Sequence, residues 1–354
     1  MKDTLRKAKT QKYEKINIFI FRALFFAYLT VLAFGCDESS QTAPGGFGFP
    51  DMYESKADAI DPLSEAYQII WGALADVDPL VRVNAIEVVA TTRQIRLMPE
   101  VQRLLRDEYA PVRFAASLAV GDLRYSLAEK SVSQLLQDQD DNVIIAASYA
   151  MTRLGFREYA EVVRAAIDSD DQTVRANAAF LLGKSGDKSA LELLDWTLRR
   201  KDSDDKVVFL AAEAMARLGD ERIYPKLWAM LISAYADVRV SGIGAMGKLG
   251  TPEARDALVT MLDDGVLEVR LAAAGQLGML KDTTGEREVL DVFKKNLTAG
   301  LDKMARERVN VLTALAIGQI GTPSLVKFLP QLLKNESKFV RIAAAKAVFQ
   351  CTVK

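Results

Sequence analysis

From residue 59 to the C-terminus the apolar positions of this chain repeat as a block. In 174–186, VRANAAFLLGKSG, a Val leads, a small residue sits four places on, and a Gly closes the line twelve places on. Copies start at Val81, Val112, Val143, Val174, Val207, Val238, Val269, Val309 and Val340, in steps of 31, 31, 31, 33, 31, 31, 40 and 31 residues. An Arg follows the Val in six copies (Arg82, Arg113, Arg175, Arg239, Arg270, Arg341), and Gly155, Gly186, Gly219, Gly250 and Gly321 close five. Each period holds two segments with apolar residues at helical spacing, split by an acidic or polar turn, and neither alternates as a strand would. The prediction is an all-α chain, an α-solenoid of about nine helix pairs in which each pair buries its apolar face on the next. At Leu249-Gly250-Thr251-Pro252 and Ile320-Gly321-Thr322-Pro323, Gly suits the left-handed residue ending one helix, Thr caps the next and Pro fits its first turn.

The pattern is irregular in two places. The 40-residue step adds nine residues around KDTTGEREVLDVFKKNLTAGLDKMARE, read as a lengthened first helix in the eighth repeat. It is either an insertion tolerated on one face or a dedicated binding element. The chain then stops on a second helix, FVRIAAAKAVFQCTVK, with no polar capping helix after it. That end is either shielded by a partner or simply tolerated. Cys351 reads as a small apolar residue of this helix.

The first 58 residues do not follow the repeat. Seven Lys and Arg residues from Lys2 to Arg22 precede an uncharged apolar run, Ala23 to Gly35, that meets Cys36. Residues 1–35 therefore read as a signal peptide or a membrane anchor. The first reading resembles the bacterial lipoprotein signal, which implies that Cys36 is lipidated and becomes the mature N-terminus. The second is an uncleaved helix from Ile16 to Gly35, against which Arg22 argues, since a charge near the middle of a span costs about 2.5–3.5 kcal/mol. In both, positive charges precede the apolar run, so the rest of the chain is expected in the cell envelope, outside the cytoplasm. Residues 36–58, rich in Ser, Gly and Pro, read as a flexible tether, leaving 59–354 as the solenoid.

Composition narrows the chemistry. Net charge is −1, which gives no bulk field to attract nucleic acid. There is no His, which removes the commonest general base and metal ligand, and two Cys are too few for a thiolate zinc site. Gly242, Gly244 and Gly247 spell GxGxxG but fall inside a helix, where the dinucleotide fingerprint needs a preceding strand. Gly183-Lys184-Ser185 lacks the leading Gly of a phosphate loop, and Asp138, Asp140 and Asn142 lack the Gly and the terminal Glu of a calcium loop. No cofactor and no catalytic residue are expected.

The acidic turn, Val-Arg, paired Ala and closing Gly resemble HEAT repeats, specifically the short form of phycobilisome-lyase-type HEAT proteins, over residues 59–354. The resemblance implies a ladder between repeats made by the turn Asp and the Arg after the Val, matched by Asp78 with Arg82 and Asp171 with Arg175. Ile144, Val208 and Asn310 interrupt it. It also implies that the second helices line the concave face. It raises two enzyme readings. Deoxyhypusine hydroxylases hold di-iron through His-Glu motifs, which a chain without His does not match, and bilin lyases act in the cytoplasm, which an export signal does not fit.

On the second helices, positions three, six and ten after the Val fall within about 60° of arc, off the apolar stripe. In periods three to six they supply Tyr149, Arg153, Asn177, Phe180, Lys184, Glu213, Arg217, Ser241 and Lys248. Aromatic and Arg residues favour interface hot spots, so Tyr149, Arg153, Asn177, Phe180, Lys184, Glu213, Arg217 and Lys248 are the candidate partner-binding residues. The competing reading is a solvated helix end, where basic residues suit the dipole. The expected function is a membrane-tethered scaffold for another protein or an envelope assembly. An enzyme accessory acting on a cofactor-bearing protein and a structural spacer are the alternatives.

Overall fold

The computed structural model describes residues 61–352, which contain helices and turns and no strand. The all-α reading holds. The pairs run α1 (Pro62–Ala73) with α2 (Pro79–Thr91), α3 (Met98–Arg103) with α4 (Ala110–Leu123), α5 (Glu129–Gln134) with α6 (Asp141–Leu154), and α7 (Ala160–Ala165) with α8 (Gln172–Ser185). They continue as α9 (Leu191–Arg199) with α10 (Asp205–Arg217), α11 (Tyr224–Leu231) with α12 (Ala236–Leu249), α13 (Pro252–Thr260) with α14 (Leu267–Met279), and α15 (Glu286–Lys294) with α16 (Lys303–Ile320). The ninth first-helix segment is split into α17 (Pro323–Val326) and α18 (Leu329–Leu333), and α19 (Lys338–Thr352) ends the array.

The repeat residues account for this regularity. Turn carboxylates start the second helices: Asp78 accepts from the Leu80 N–H at 2.8 Å, Asp140 from Asn142 at 2.8 Å and Asp204 from Val207 at 2.9 Å. All five predicted closing glycines have positive φ, from 65° to 121°. In the three repeats where the twelfth place is Arg93, Arg124 or Lys281, that residue takes the left-handed conformation itself. The leading Val is buried in every copy but the sixth, where Val238 is half-buried. Second helices meet through small residues: a Cβ added at Gly183 would lie 2.6 Å from the Ala214 Cα, and one at Gly318 2.6 Å from the Ala347 Cα. The GxGxxG stretch is indeed packing, since Gly242 faces Met230 and Gly247 faces Gln276.

The ladder differs from expectation. Arg82 pairs with Asp107 at 2.8 Å, Arg113 with Asp138 at 2.7 Å, Arg175 with Asp202 at 3.1 Å and Arg239 with Asp264 at 2.7 Å. Each carboxylate belongs to the following repeat, five places before its Val. Asp78 and Asp171 cap helices instead, because an N-cap side chain is committed to the N–H groups just after it. Arg270 reaches Glu288 of α15 at 2.8 Å.

The eighth repeat also corrects the sequence reading. Its first helix, α15, is not lengthened; the added residues form the turn 295–302 and an N-terminal extension of α16, which Asp302 caps by accepting from the Ala305 N–H at 2.8 Å.

The C-terminal helix is covered by the chain itself. α19 packs against α1 and α2, closing the array into a ring. Tyr67 of α1 meets Phe349 of α19 edge to face at 4.9 Å, Lys338 pairs with Asp76 at 2.7 Å, and Lys346 pairs with Glu87 at 2.7 Å. Asp76 holds the ladder position of the first repeat, and across the closure it is met by Lys338, three residues before Arg341, which holds the Arg position but donates to the Asn335 and Glu336 carbonyls. The apolar face that sequence left uncapped is covered by the chain's own first helix.

The signal or anchor, Cys36 and the whole of the tether lie outside the described residues. Among those described, no helix is long and apolar enough to cross a membrane.

Candidate binding site on the inner wall

The second helices carry the candidate residues inward, where contacts reach beyond the adjacent repeat. Lys184 of α8 donates to the Asp122 carboxylate of α4 at 2.6 Å, spanning past α6. The Tyr149 hydroxyl donates to the same carboxylate at 2.8 Å. Arg217 donates to Glu213 one turn back at 2.6 Å, and the Lys184 ammonium and Arg217 guanidinium lie 5.8 and 5.9 Å from the Phe180 ring centroid. Cations at that range draw on the ring's quadrupole.

Exposure corrects one expectation. Tyr149 and Phe180 are each only 3 % exposed, so neither projects as an anchor for a docking protein. Adjacent second helices cover them, the Tyr149 ring lying against Gly121 of α4, and they act from beneath by fixing the Asp122, Lys184 and Arg217 side chains. Asn177 is buried too, and donates to Asn142 at 2.8 Å, away from this cluster. Arg153, Lys184, Glu213, Arg217 and Lys248 do converge.

Sequence reading missed Asp122, Glu87 and Lys346. Asp122 occupies the tenth place of the second repeat, while Glu87 and Lys346 share the sixth place of the first and last repeats, which become neighbours only on closure. Five cations (Arg153, Lys184, Arg217, Lys248, Lys346) thus face three carboxylates (Glu87, Asp122, Glu213).

The imbalance is felt by the lysines. Burial pushes the Lys184 ammonium below its ordinary pKa, with Asp122 offsetting part of the shift. Burial also lowers Lys248, and repulsion from Arg217, Lys346 and Lys184 adds to it, with Glu213 opposing. Lys184 and Lys346 each have an ion-pair partner, whereas Lys248 has none among the described residues. Burial pushes the Tyr149 hydroxyl up, and the Asp122 charge adds to that, so it stays a hydrogen-bond donor across the physiological range.

The architecture is matched by sequence comparison. A family profile for HEAT repeats matches residues 68–152, 159–240 and 229–312, most of the chain. The chain belongs to the HEAT-repeat family. A search of curated proteins gave no match. Among solved structures, this HEAT protein is similar to human deoxyhypusine hydroxylase in complex with glycerol, at 18 % identity over 75 % of this chain and 99 % of the other, with a TM-score of 0.37. It is similar to the CpcE–CpcF complex of phycocyanin lyase from a Nostoc species, at 18 % identity over 85 % and 100 %, with a TM-score of 0.32. Kap121p matches at 15 % identity over 81 % of this chain and 37 % of the other, with a TM-score of 0.33.

Proposed function

We propose that this HEAT ring is a non-catalytic protein-binding scaffold that takes an acidic segment of a partner protein against its inner basic band. The carrying observation is Lys248: a largely buried ammonium, repelled by three neighbouring cations and without an ion pair among the described residues. A carboxylate supplied by a partner relieves that repulsion and restores the balance of the band. Arg217, Lys184 and Arg153 extend the attraction along the wall, and Tyr149 and Phe180 hold those cations in place. The absence of His from the chain supports a scaffold over an enzyme. The 31-residue period and the Val-Arg to Gly pattern support the short, phycobilisome-lyase-type form of the repeat. The basic start, apolar run and Cys36 support tethering to a membrane, with the ring outside the cytoplasm.

Capture from detergent-solubilised membranes of the native organism tests this reading, with the full chain as bait. Lys248→Glu should weaken capture at least tenfold, equivalent to about 1.4 kcal/mol, and the wild-type interaction should weaken as salt rises. Glu192→Ala, on the outer helix α9, should leave capture unchanged. Equal capture by wild type and Lys248→Glu at low salt defeats the proposal.

A further inference from the structure

The ladder is interrupted after the third, fifth and eighth repeats, and the third of these interruptions is unlike the other two. After the third and fifth repeats the Arg position holds Ile144 or Val208, and the partner position holds Ser169 or Ser233. An aliphatic side chain facing a serine leaves little polar surface to satisfy. Between the eighth and ninth repeats the two positions hold Asn310 and Asn335. A cavity of about 290 Å³ opens there, lined by both residues.

Its lining is neutral and built for reciprocal hydrogen bonding. No charged side chain contributes. Asn296 and Thr298 come from the turn that the nine added residues create, Gln331 from α18, and Phe293 and Phe328 stack face to face at 4.0 Å to form an apolar wall. Asn335 uses its Oδ1 to accept from the Ser337 N–H at 2.9 Å, the same turn-forming role that Asp138 has toward Asp140. The side-chain amides of Asn296, Asn310 and Gln331 make no hydrogen bond among the described residues. Asn310 is half-buried within the cavity while Asn296 and Gln331 are exposed at its rim, and each carries two donors and an acceptor that an occupant can meet.

We propose that this cavity binds a single uncharged sugar unit. A pyranose presents adjacent hydroxyls that donate and accept at once, which is what free carboxamides match. Its C–H groups suit the apolar Phe293 side of the stack, since Phe328 has Phe293 on one face and the Lys327 ammonium 5.2 Å from its ring centroid. The volume lies at the lower end of ligand sites, about 300–1,000 Å³, and so fits one ring. A peptide main chain would need an open groove running across several repeats, whereas this cavity is bounded within one junction. The site is independent of the basic inner band.

Titration of the full chain with D-glucose and N-acetylglucosamine, followed by calorimetry and by thermal unfolding, tests this, with N-acetylglycinamide as the amide probe. At least one sugar should bind and raise the unfolding temperature. Gln331→Ala should weaken it at least tenfold. The decisive variant is Asn310→Arg with Asn335→Asp, which rebuilds the pairing that Arg113 makes with Asp138 through two hydrogen bonds of 2.7 Å and fills the cavity. It should abolish sugar binding while the protein stays folded. No binding of either sugar by wild type, tighter binding of N-acetylglycinamide than of both sugars, or sugar binding undiminished in the refilled variant would each overturn the assignment.

Discussion

Truncation of Phe349 probes ring closure energetically. Its ring is 1 % exposed in α19 and stands edge-on to Tyr67 of α1. Phe→Ala at such a site costs about 3–5 kcal/mol. Phe349 also packs within the ninth repeat, so the single substitution alone does not separate a ring from an open arc. The coupling to Tyr67 does. An edge-to-face pair is worth about 0.5–1.5 kcal/mol beyond its buried area, and that energy exists only if α1 and α19 touch. Tyr67→Ala also removes a hydrogen bond to the Gln94 Oε1 at 2.6 Å, a loss common to both arms of a double-mutant cycle that cancels to first order. Urea unfolding of wild type, Tyr67→Ala, Phe349→Ala and the double variant should give a coupling of about 0.5–1.5 kcal/mol. Circular dichroism and tryptophan fluorescence should trace one coincident transition, which validates the free energies. Coupling below about 0.3 kcal/mol, the ordinary additivity error for distant sites, would refute the contact.

The packing and electrostatics give three more predictions. Gly183→Ala puts a Cβ 2.6 Å from the Ala214 backbone and should destabilise by about 1–3 kcal/mol in the same urea assay, whereas Gly244→Ala, with nothing within 4 Å, should stabilise by about 0.5–1 kcal/mol. Lys281→Gly relieves a left-handed residue at φ 62° and should raise stability by about 1 kcal/mol. Burial pushes Lys206 down to about 8, with Asp204 and Asp171 opposing. Below pH 8 both folded and unfolded states carry its proton, while between pH 8 and about 10.4 only the unfolded state does, so stability should rise with pH across that window. Lys206→Met should reduce that slope by up to about 1.4 kcal/mol per pH unit, measured by unfolding at pH 7, 8, 9 and 10.

The repeat architecture was legible because its signals are local. A leading Val, a small residue and a closing Gly each act within one helix or at its end, and the helices begin and stop where those residues say. Ladder pairing was assigned to the wrong Asp because several turns carry two carboxylates, such as Asp76 with Asp78 and Asp202 with Asp204, and only geometry separates the one that caps from the one that faces the neighbouring repeat. The eighth repeat went astray for a related reason: extra residues with helical character can extend either helix of a pair, and the choice depends on where Asp302 finds free N–H groups. Closure was the largest thing missed. It depends on accumulated rotation over nine pairs, which no single repeat encodes. Asp76 did carry a trace of it: it holds the ladder position of the first repeat, and no earlier repeat among the described residues offers it an Arg. The buried state of Tyr149 and Phe180 follows from the same curvature, since an off-stripe position on a single helix becomes interior when neighbouring second helices crowd the inner wall.

Zero-length carbodiimide crosslinking tests closure most directly, because it joins a carboxylate to an amine only when the two touch. The full chain would be treated at high dilution, the monomer band isolated, and the linked peptides read by mass spectrometry. A closed ring predicts an Asp76–Lys338 link, the pair that stands 2.7 Å apart across 262 residues of chain. The Asp122–Lys184 link, between repeats that adjoin α6 in either architecture, serves as the internal control. Recovery of both links in the monomer supports the ring; Asp122–Lys184 alone, with Asp76 and Lys338 unlinked, would contradict it.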